Sequence, residues 1–220
     1  MNIKKVINEY NPFVILHRKR MRKALNNDNI TFFCPNCIGG ILFHDLGLRF
    51  CSPTVNLMMT QTDFVKFILN FDYYINKDFE FFNHEEYTCP CAKLDDITVH
   101  FTHYHSPEDA VHKWKERVKR INKDNTFIFL TERDGITEES IRELSKLKAR
   151  GIVVFTAKKY PDIKYSVYID KYAESGEIGN ILEKSLLNGK REYEKYFDFI
   201  KWFNEADGGD YDVTPYIINK

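Results

Sequence analysis

Between Ile97 and Asn122 the chain reads ITVHFTHYHSPEDAVHKWKERVKRIN, a stretch dense in groups able to move a proton or hold an anion. His100, His103 and His105 crowd together there, and imidazole is the side chain that changes charge near neutral pH. His103, with Tyr104 beside it, is the candidate for acid–base work. The plainer alternative is a histidine hydrogen-bonded in the core or at a helix N-terminus. Arg117 and Arg120 stand three positions apart, close to one helical face, and a guanidinium grips phosphate oxygens two at a time. For them the plainer alternative is the basic face of a surface helix. Trp114 reads as core.

A second concentration is Asn36-Cys37-Ile38-Gly39-Gly40. Paired glycines after a strand let backbone N–H groups approach a phosphate, and they equally serve any tight turn. Cys37 is either a nucleophile or a small buried thiol. Cys34 and Cys37, with Cys89 and Cys91, supply four thiolates, but C-x-C lying more than fifty residues after C-x-x-C is not the spacing of a zinc ribbon. Asp95-Asp96 resembles a DxD element only loosely. In Glu132-Arg133-Asp134, Asp134 and Glu132 are runner-up acid–base or metal-ligand candidates, against a simple turn role for Asp134-Gly135.

These groups need elements to position them. Alternating Ile97, Val99 and Phe101 predict a half-buried strand; Ser106, Pro107, Glu108 and Asp109 then predict a helix start. TFIFLTE (Thr126 to Glu132) and GIVVFTA (Gly151 to Ala157) read as strands around a helix that Thr137 caps, so the run from Ile97 to Ala157 reads as βαβ units. The expected fold is α/β, a largely parallel Rossmann-like sheet flanked by helices, in one domain. Ile30 to Cys34 is expected in the same sheet, with Ser166 to Ile169 at its edge. Helices are expected from Val6 to Leu25, Thr62 to Ile75 and Lys190 to Asn204, a brief strand over Phe79 to Phe82, and loop from Asn83 to Lys93. Residues 1–28 form an N-terminal helical segment in this reading, and 205–220 a polar tail. In an open α/β fold, ligands gather at the carboxyl ends of strands, which is where His103 would stand.

Thirty-two basic residues balance 32 acidic ones, so no global field favours nucleic acid or an anionic membrane. The HRKRMRK cluster (His17 to Lys23) is then a solvated helix face or a local phosphate or headgroup contact. Aromatic residues make up 15%, read as an aromatic core ahead of a sugar-binding surface. No apolar run approaches the roughly 20 residues of a membrane-spanning helix, and the amino terminus reads as no secretory signal. A cytoplasmic protein with free thiols is expected.

In NCIGG (Asn36 to Gly40), the segment Gly47 to Thr54 ending SPT, DFVKF (Asp63 to Phe67), HFTHY (His100 to Tyr104) with its W-x-x-R-x-x-R helix, TERDG (Thr131 to Gly135), VVFTAKKYP (Val153 to Pro161) and FDFIKWFN (Phe197 to Asn204), the chain resembles a bacterial family of unknown function. Its members are commonly labelled exopolysaccharide or capsule biosynthesis proteins. The chain departs from that pattern at Ile38, where an aromatic is common, and at Cys34 and Pro35, where Ser and Asn are usual. Cys89, Cys91 and His105 are not features of it.

The label names a pathway and no reaction. With the residues above, it implies a glycosyltransferase-like transferase using a nucleotide sugar and a saccharide acceptor. His103 and Asp134 would be the catalytic pair. Asn36, Cys37, Gly39, Gly40, Ser52, Thr54, Tyr104, Arg117, Arg120 and Arg133 would hold substrate or phosphate. A divalent cation, Mg2+ or Mn2+, is the one cofactor considered, and no residue is assigned as a metal ligand. Nucleic acid is not expected as a partner, and any membrane association would run through other pathway proteins. The alternative is a non-catalytic module of the same pathway that binds polysaccharide or a synthase.

Overall fold

Thr126–Thr131 and Gly151–Thr156 are buried at every position, so both faces of each strand must be covered. The computed structural model describes residues 10–218 and shows how. Its elements are α1 (Pro12–Ala24), β1 (Thr31–Phe33), α2 (Ile38–Leu46), α3 (Gln61–Leu69), α4 (Phe71–Tyr74), β2 (Glu80–Phe82), β3 (Cys91–Leu94) and β4 (Ile97–His100). Then come α5 (Pro107–Val118), β5 (Thr126–Thr131), α6 (Glu138–Glu143), β6 (Gly151–Thr156), β7 (Ser166–Tyr168) and α7 (Phe199–Glu205). Strands β1, β5, β6 and β7 form a parallel sheet in that order, with β7 at one edge. The α/β class holds.

Alternation sorts the aromatic residues onto the two faces. Phe32, Phe127, Phe129 and Phe155 share one face and meet α7: Phe199 lies 5.6 Å from Phe129, Phe203 5.0 Å from Phe127, and Phe32 packs on both. Phe33 turns to the other face, 5.3 Å from Phe71. The aromatic content is mostly core, as expected.

One expectation about the central stretch is corrected. β4 does not join the parallel sheet; it pairs antiparallel with β3, and β3 with β2, in a second sheet. Asp95-Asp96 is the connection between β3 and β4, with Asp95 left-handed at φ 57°. That accounts for the paired aspartates without a metal. Cys91 accordingly opens a strand where a loop was expected.

Smaller differences have local causes. α1 starts at Pro12 because the Asn11 side chain accepts from Phe13 N–H at 2.8 Å; the part of the expected helix from Val6 to Glu9 lies outside the described residues. The helix expected over Thr62 to Ile75 breaks at Asn70 into α3 and α4. The helix expected from Lys190 is a single 3-10 turn over Glu192–Lys195, and α7 begins only where Asp198 caps it by accepting from Lys201 N–H. The C-terminal tail is not merely polar: Val213 and Tyr216 are buried, and Tyr216 C=O accepts from Asp198 N–H. Ser106 and Thr137 cap α5 and α6 as read from the sequence.

Candidate functional site

The carboxyl ends of β1 and β5 open onto a cleft of about 430 Å3. Its walls are Asn36, Cys37 and Ile38 after β1, Thr131 and Arg133 at the end of β5, and the loop 179–182. That loop is held by Ile178 N–H, which donates to Glu132 C=O at 2.7 Å. The Asn36 side-chain oxygen accepts from Ile38 N–H at 3.0 Å, which leaves its amide NH2 as the free donor. Thr131 is buried, and its hydroxyl has no hydrogen-bond partner. Arg133 is half-exposed beside Asp134, 3.2 Å away. A cation, an amide donor and the N-terminus of α2 together favour an anion.

His103 reaches this edge from the other sheet through a strap. Met58 pairs with His100 in both directions, at 2.8 and 2.9 Å, and Met59 N–H donates to Pro35 C=O at 2.9 Å. The exit of β4 is thereby laced to the exit of β1. Thr102 Oγ1 donates to Asn56 C=O, and the exposed His103 places Nε2 3.4 Å from Cys37 Sγ. Burial pushes the Cys37 thiol up and outweighs the lowering contact with Thr102, so the resting form is the neutral thiol. A thiol touching an imidazole at the mouth of a cleft is the arrangement of an activated nucleophile.

The other sequence candidates fall elsewhere. Gly39 and Gly40 form no phosphate loop: both are buried in the first turn of α2. A Cβ on Gly39 would stand 2.6 Å from Cys34 Sγ, and one on Gly40 2.3 Å from Asn56 Oδ1. They are glycines because the helix packs that closely. Ser52 and Thr54 are fully buried; their hydroxyls meet at 2.9 Å, and Thr54 Oγ1 accepts from Cys34 N–H. Arg117 and Tyr104 are buried together, both donating to Val55 C=O at 2.8 Å, with an Arg117–Tyr104 hydrogen bond between them. Arg120 pairs with Glu116 at 3.6 Å. Asp134 is a turn residue at φ 55°, and its carboxylate faces Arg133.

The three histidines part company because β4 ends at His100, so strand alternation does not extend to His103 and His105. His100 is buried with Nδ1 3.3 Å from Cys91 Sγ, and burial and His84 hold its pKa below the usual range. His105 lines a separate cleft with His84, Cys89 and Cys91. Among the described residues no group of three or more His, Cys, Asp or Glu is placed to hold a metal ion.

A family model described as a domain of unknown function, DUF1919, matches residues 9–204. The chain belongs to the DUF1919 family. An uncharacterized protein of Haemophilus influenzae is 38% identical over 204 residues, covering 93% of this chain and 97% of that relative. Neither match names a reaction, so the chemistry of this DUF1919 chain has to be argued from its cleft. Within that cleft, sequence reasoning missed Thr131 and the loop 179–182. A threonine ending a fully apolar strand is the only local signal for the first. Nothing local marks the second, because it is held by core packing of Ile178 and by hydrogen bonds to backbone C=O groups from Ile178, Tyr193 and Arg191. Among the described residues no helix is long and apolar enough to cross a membrane.

Proposed function

We propose that the protein is a transferase of surface-polysaccharide synthesis that binds an activated, nucleotide-linked sugar in the cleft between the β1 and β5 ends. The pathway comes from the resemblance of NCIGG, HFTHY and the other stretches. The observation that carries the enzyme reading is the meeting of Asn36, Cys37, Thr131 and Arg133 in one cleft, with His103 against Cys37. In a glycosyltransferase-like reaction, Arg133, the Asn36 amide and the α2 N-terminus would stabilise the charge that develops on the departing phosphate. His103 would take the proton of the acceptor hydroxyl. A divalent cation would enter with the nucleotide.

Melting curves with a panel of nucleotides and nucleotide sugars, with and without Mg2+ or Mn2+, test this. A ligand at a hundred times its dissociation constant stabilises the folded state by about 2.7 kcal/mol. The expected result is a selective upward shift that Arg133→Ala removes. A flat panel, or a shift unchanged in Arg133→Ala, overturns the reading.

A binding module of the same pathway is the second reading, and one observation favours it. Phe13, Ile15 and Leu16 of α1 are exposed, as are Leu186 and Leu187, and Asn11 of the α1 cap donates to Leu186 C=O. Exposed apolar side chains gathered this way fit a protein or saccharide contact. Under that reading Leu187→Ser weakens binding to polysaccharide and Arg133→Ala does not.

A further inference from the structure

We propose that Cys37 and His103 form a nucleophile–base pair that accepts an acyl group as a thioester and passes it to a saccharide hydroxyl. The inference rests on the transferase reading for the identity of the acceptor; formation of the acyl-enzyme is a property of the pair itself.

Geometry comes first. Cys37 Sγ and His103 Nε2 are 3.4 Å apart, and Cys37 lines the 430 Å3 cleft, so a substrate carbonyl can reach the sulfur. The second observation is independent of the pair: Thr131 lines the same cleft, and its hydroxyl is buried with no hydrogen-bond partner among the described residues. An orphaned buried hydroxyl costs stability unless a ligand pairs with it. Rotated into the cleft, that hydroxyl would donate to the carbonyl oxygen of an acyl donor, and the Asn36 amide NH2 would offer the oxyanion a second donor.

The chemistry selects acyl transfer. In the first step Cys37 Sγ attacks the acyl carbonyl carbon while its proton passes to His103. The S–C bond forms, the bond to the donor's leaving group breaks, and that group departs with the proton from the imidazolium. In the second step the saccharide hydroxyl attacks the thioester carbonyl and gives its proton to His103. The C–S bond breaks, and the thiol is restored with that proton. No oxidant or reductant is needed. A thioester stays reactive toward hydroxyls, whereas a thioglycoside at the same sulfur would be too inert to turn over. Burial keeps the Cys37 thiol neutral at rest, so attack depends on His103 removing the proton as the bond forms.

The molecule contains its own control. Cys91 lies 3.3 Å from His100 Nδ1, a closer thiol–imidazole contact, but both residues are buried, and Cys91 borders the separate cleft of His105 and not this one. If proximity to imidazole sufficed, Cys91 would react as well.

The test uses p-nitrophenyl acetate as acyl donor with the full chain. The expected result is a burst of about one equivalent of p-nitrophenolate and one added acetyl on the peptide containing Cys37. Cys37→Ala abolishes the burst, and His103→Gln slows it by about 100-fold or more. Melting curves establish that both variants fold. Because His103 is exposed, its variant keeps the test decisive even if Cys37→Ala does not fold. Acetylation of Cys51, Cys89 or Cys91 at the rate of Cys37, or an unchanged burst in His103→Gln, overturns the proposal. A nucleotide-sugar shift without an acyl-enzyme would overturn this inference and leave the cleft reading standing. An acyl-enzyme with a flat nucleotide panel would overturn the cleft reading and with it the saccharide acceptor, and leave the nucleophile–base pair standing.

Discussion

Gly39 shows how one residue separates a packing role from a binding role. Glycine inside a helix ordinarily costs about 1 kcal/mol relative to alanine, so Gly→Ala at a roomy site stabilises. Here the added methyl would lie 2.6 Å from Cys34 Sγ, a short and fully buried side chain with nowhere to swing. Gly39→Ala is therefore expected to destabilise by about 1–3 kcal/mol, the range for overpacking a tight site. The double variant with Cys34→Ala should recover part of that loss. Urea midpoints check both; a stabilised Gly39→Ala would mean that the glycine serves something other than close packing. From sequence the two roles look alike, since a Gly pair after a strand is written the same way for a phosphate and for a close helix. The reverse holds at Cys37 and His103. Each residue was legible as a candidate alone, but 66 positions separate them, and it is the segment 54–59, bonded to both strand exits, that brings them together.

At the scale of elements, β5 and β6 were legible because unbroken apolar runs of strand length have few other homes. β4 was misplaced because alternation reports burial of one face and is silent on partners. The better signal was nearby: CAKL and ITVH stand two residues apart across Asp-Asp, the length of a tight hairpin, and pair Leu94 with Ile97. The misread C-terminal helix has a similar lesson, since Asp198 three residues before Lys201 is itself a helix start. The seating of α7 gives a testable consequence. Gly151 opens β6 directly beneath Trp202, and a Cβ there would stand 2.7 Å from the indole ring. Trp202 is locked by Phe127 at 4.8 Å and Phe197 at 5.4 Å, so it has little room to yield. Gly151→Ala is expected to lower stability by about 1–3 kcal/mol, read from urea unfolding. A neutral result would show that α7 can slide on the sheet.

Across the whole molecule, net charge is zero and the charges do their work in pairs that close the chain on itself. Part of the basic cluster of α1 is the solvated face expected, with Lys19, Arg20 and Lys23 exposed, and the rest ties the chain to itself. Arg18 pairs with Asp45 at 2.6 Å, Arg22 donates to Asp45 C=O, and His17 meets Glu194 at 2.6 Å. Arg191 completes the set, 2.8 Å from the same Asp45 carboxylate. One buried carboxylate at the end of α2 thus binds residues 18 and 191, far apart in sequence. Burial pushes the Asp45 pKa up, but the hydrogen bond and charge of Arg191, with Arg18 and Lys184, outweigh it and hold the carboxyl below the usual range. Glu192, likewise buried, is brought down to about 2 by Lys195, Lys171 and Tyr196. The sign follows by linkage. A carboxylate whose pKa is depressed by folding stabilises fully above its unfolded value and loses that contribution as pH falls through the folded one. Asp45→Asn leaves two half-buried guanidinium groups short of a counter-charge, so near pH 7 it should cost about 2–4 kcal/mol, somewhat less than breaking a fully buried pair. The gap to the natural chain should persist to about pH 5 and close progressively in stronger acid, where Asp45 itself becomes protonated. Urea midpoints near pH 7, 5 and 3 measure it, and a gap that stays constant down to pH 3 would mean that Asp45 does not hold the two ends of the chain through its charge.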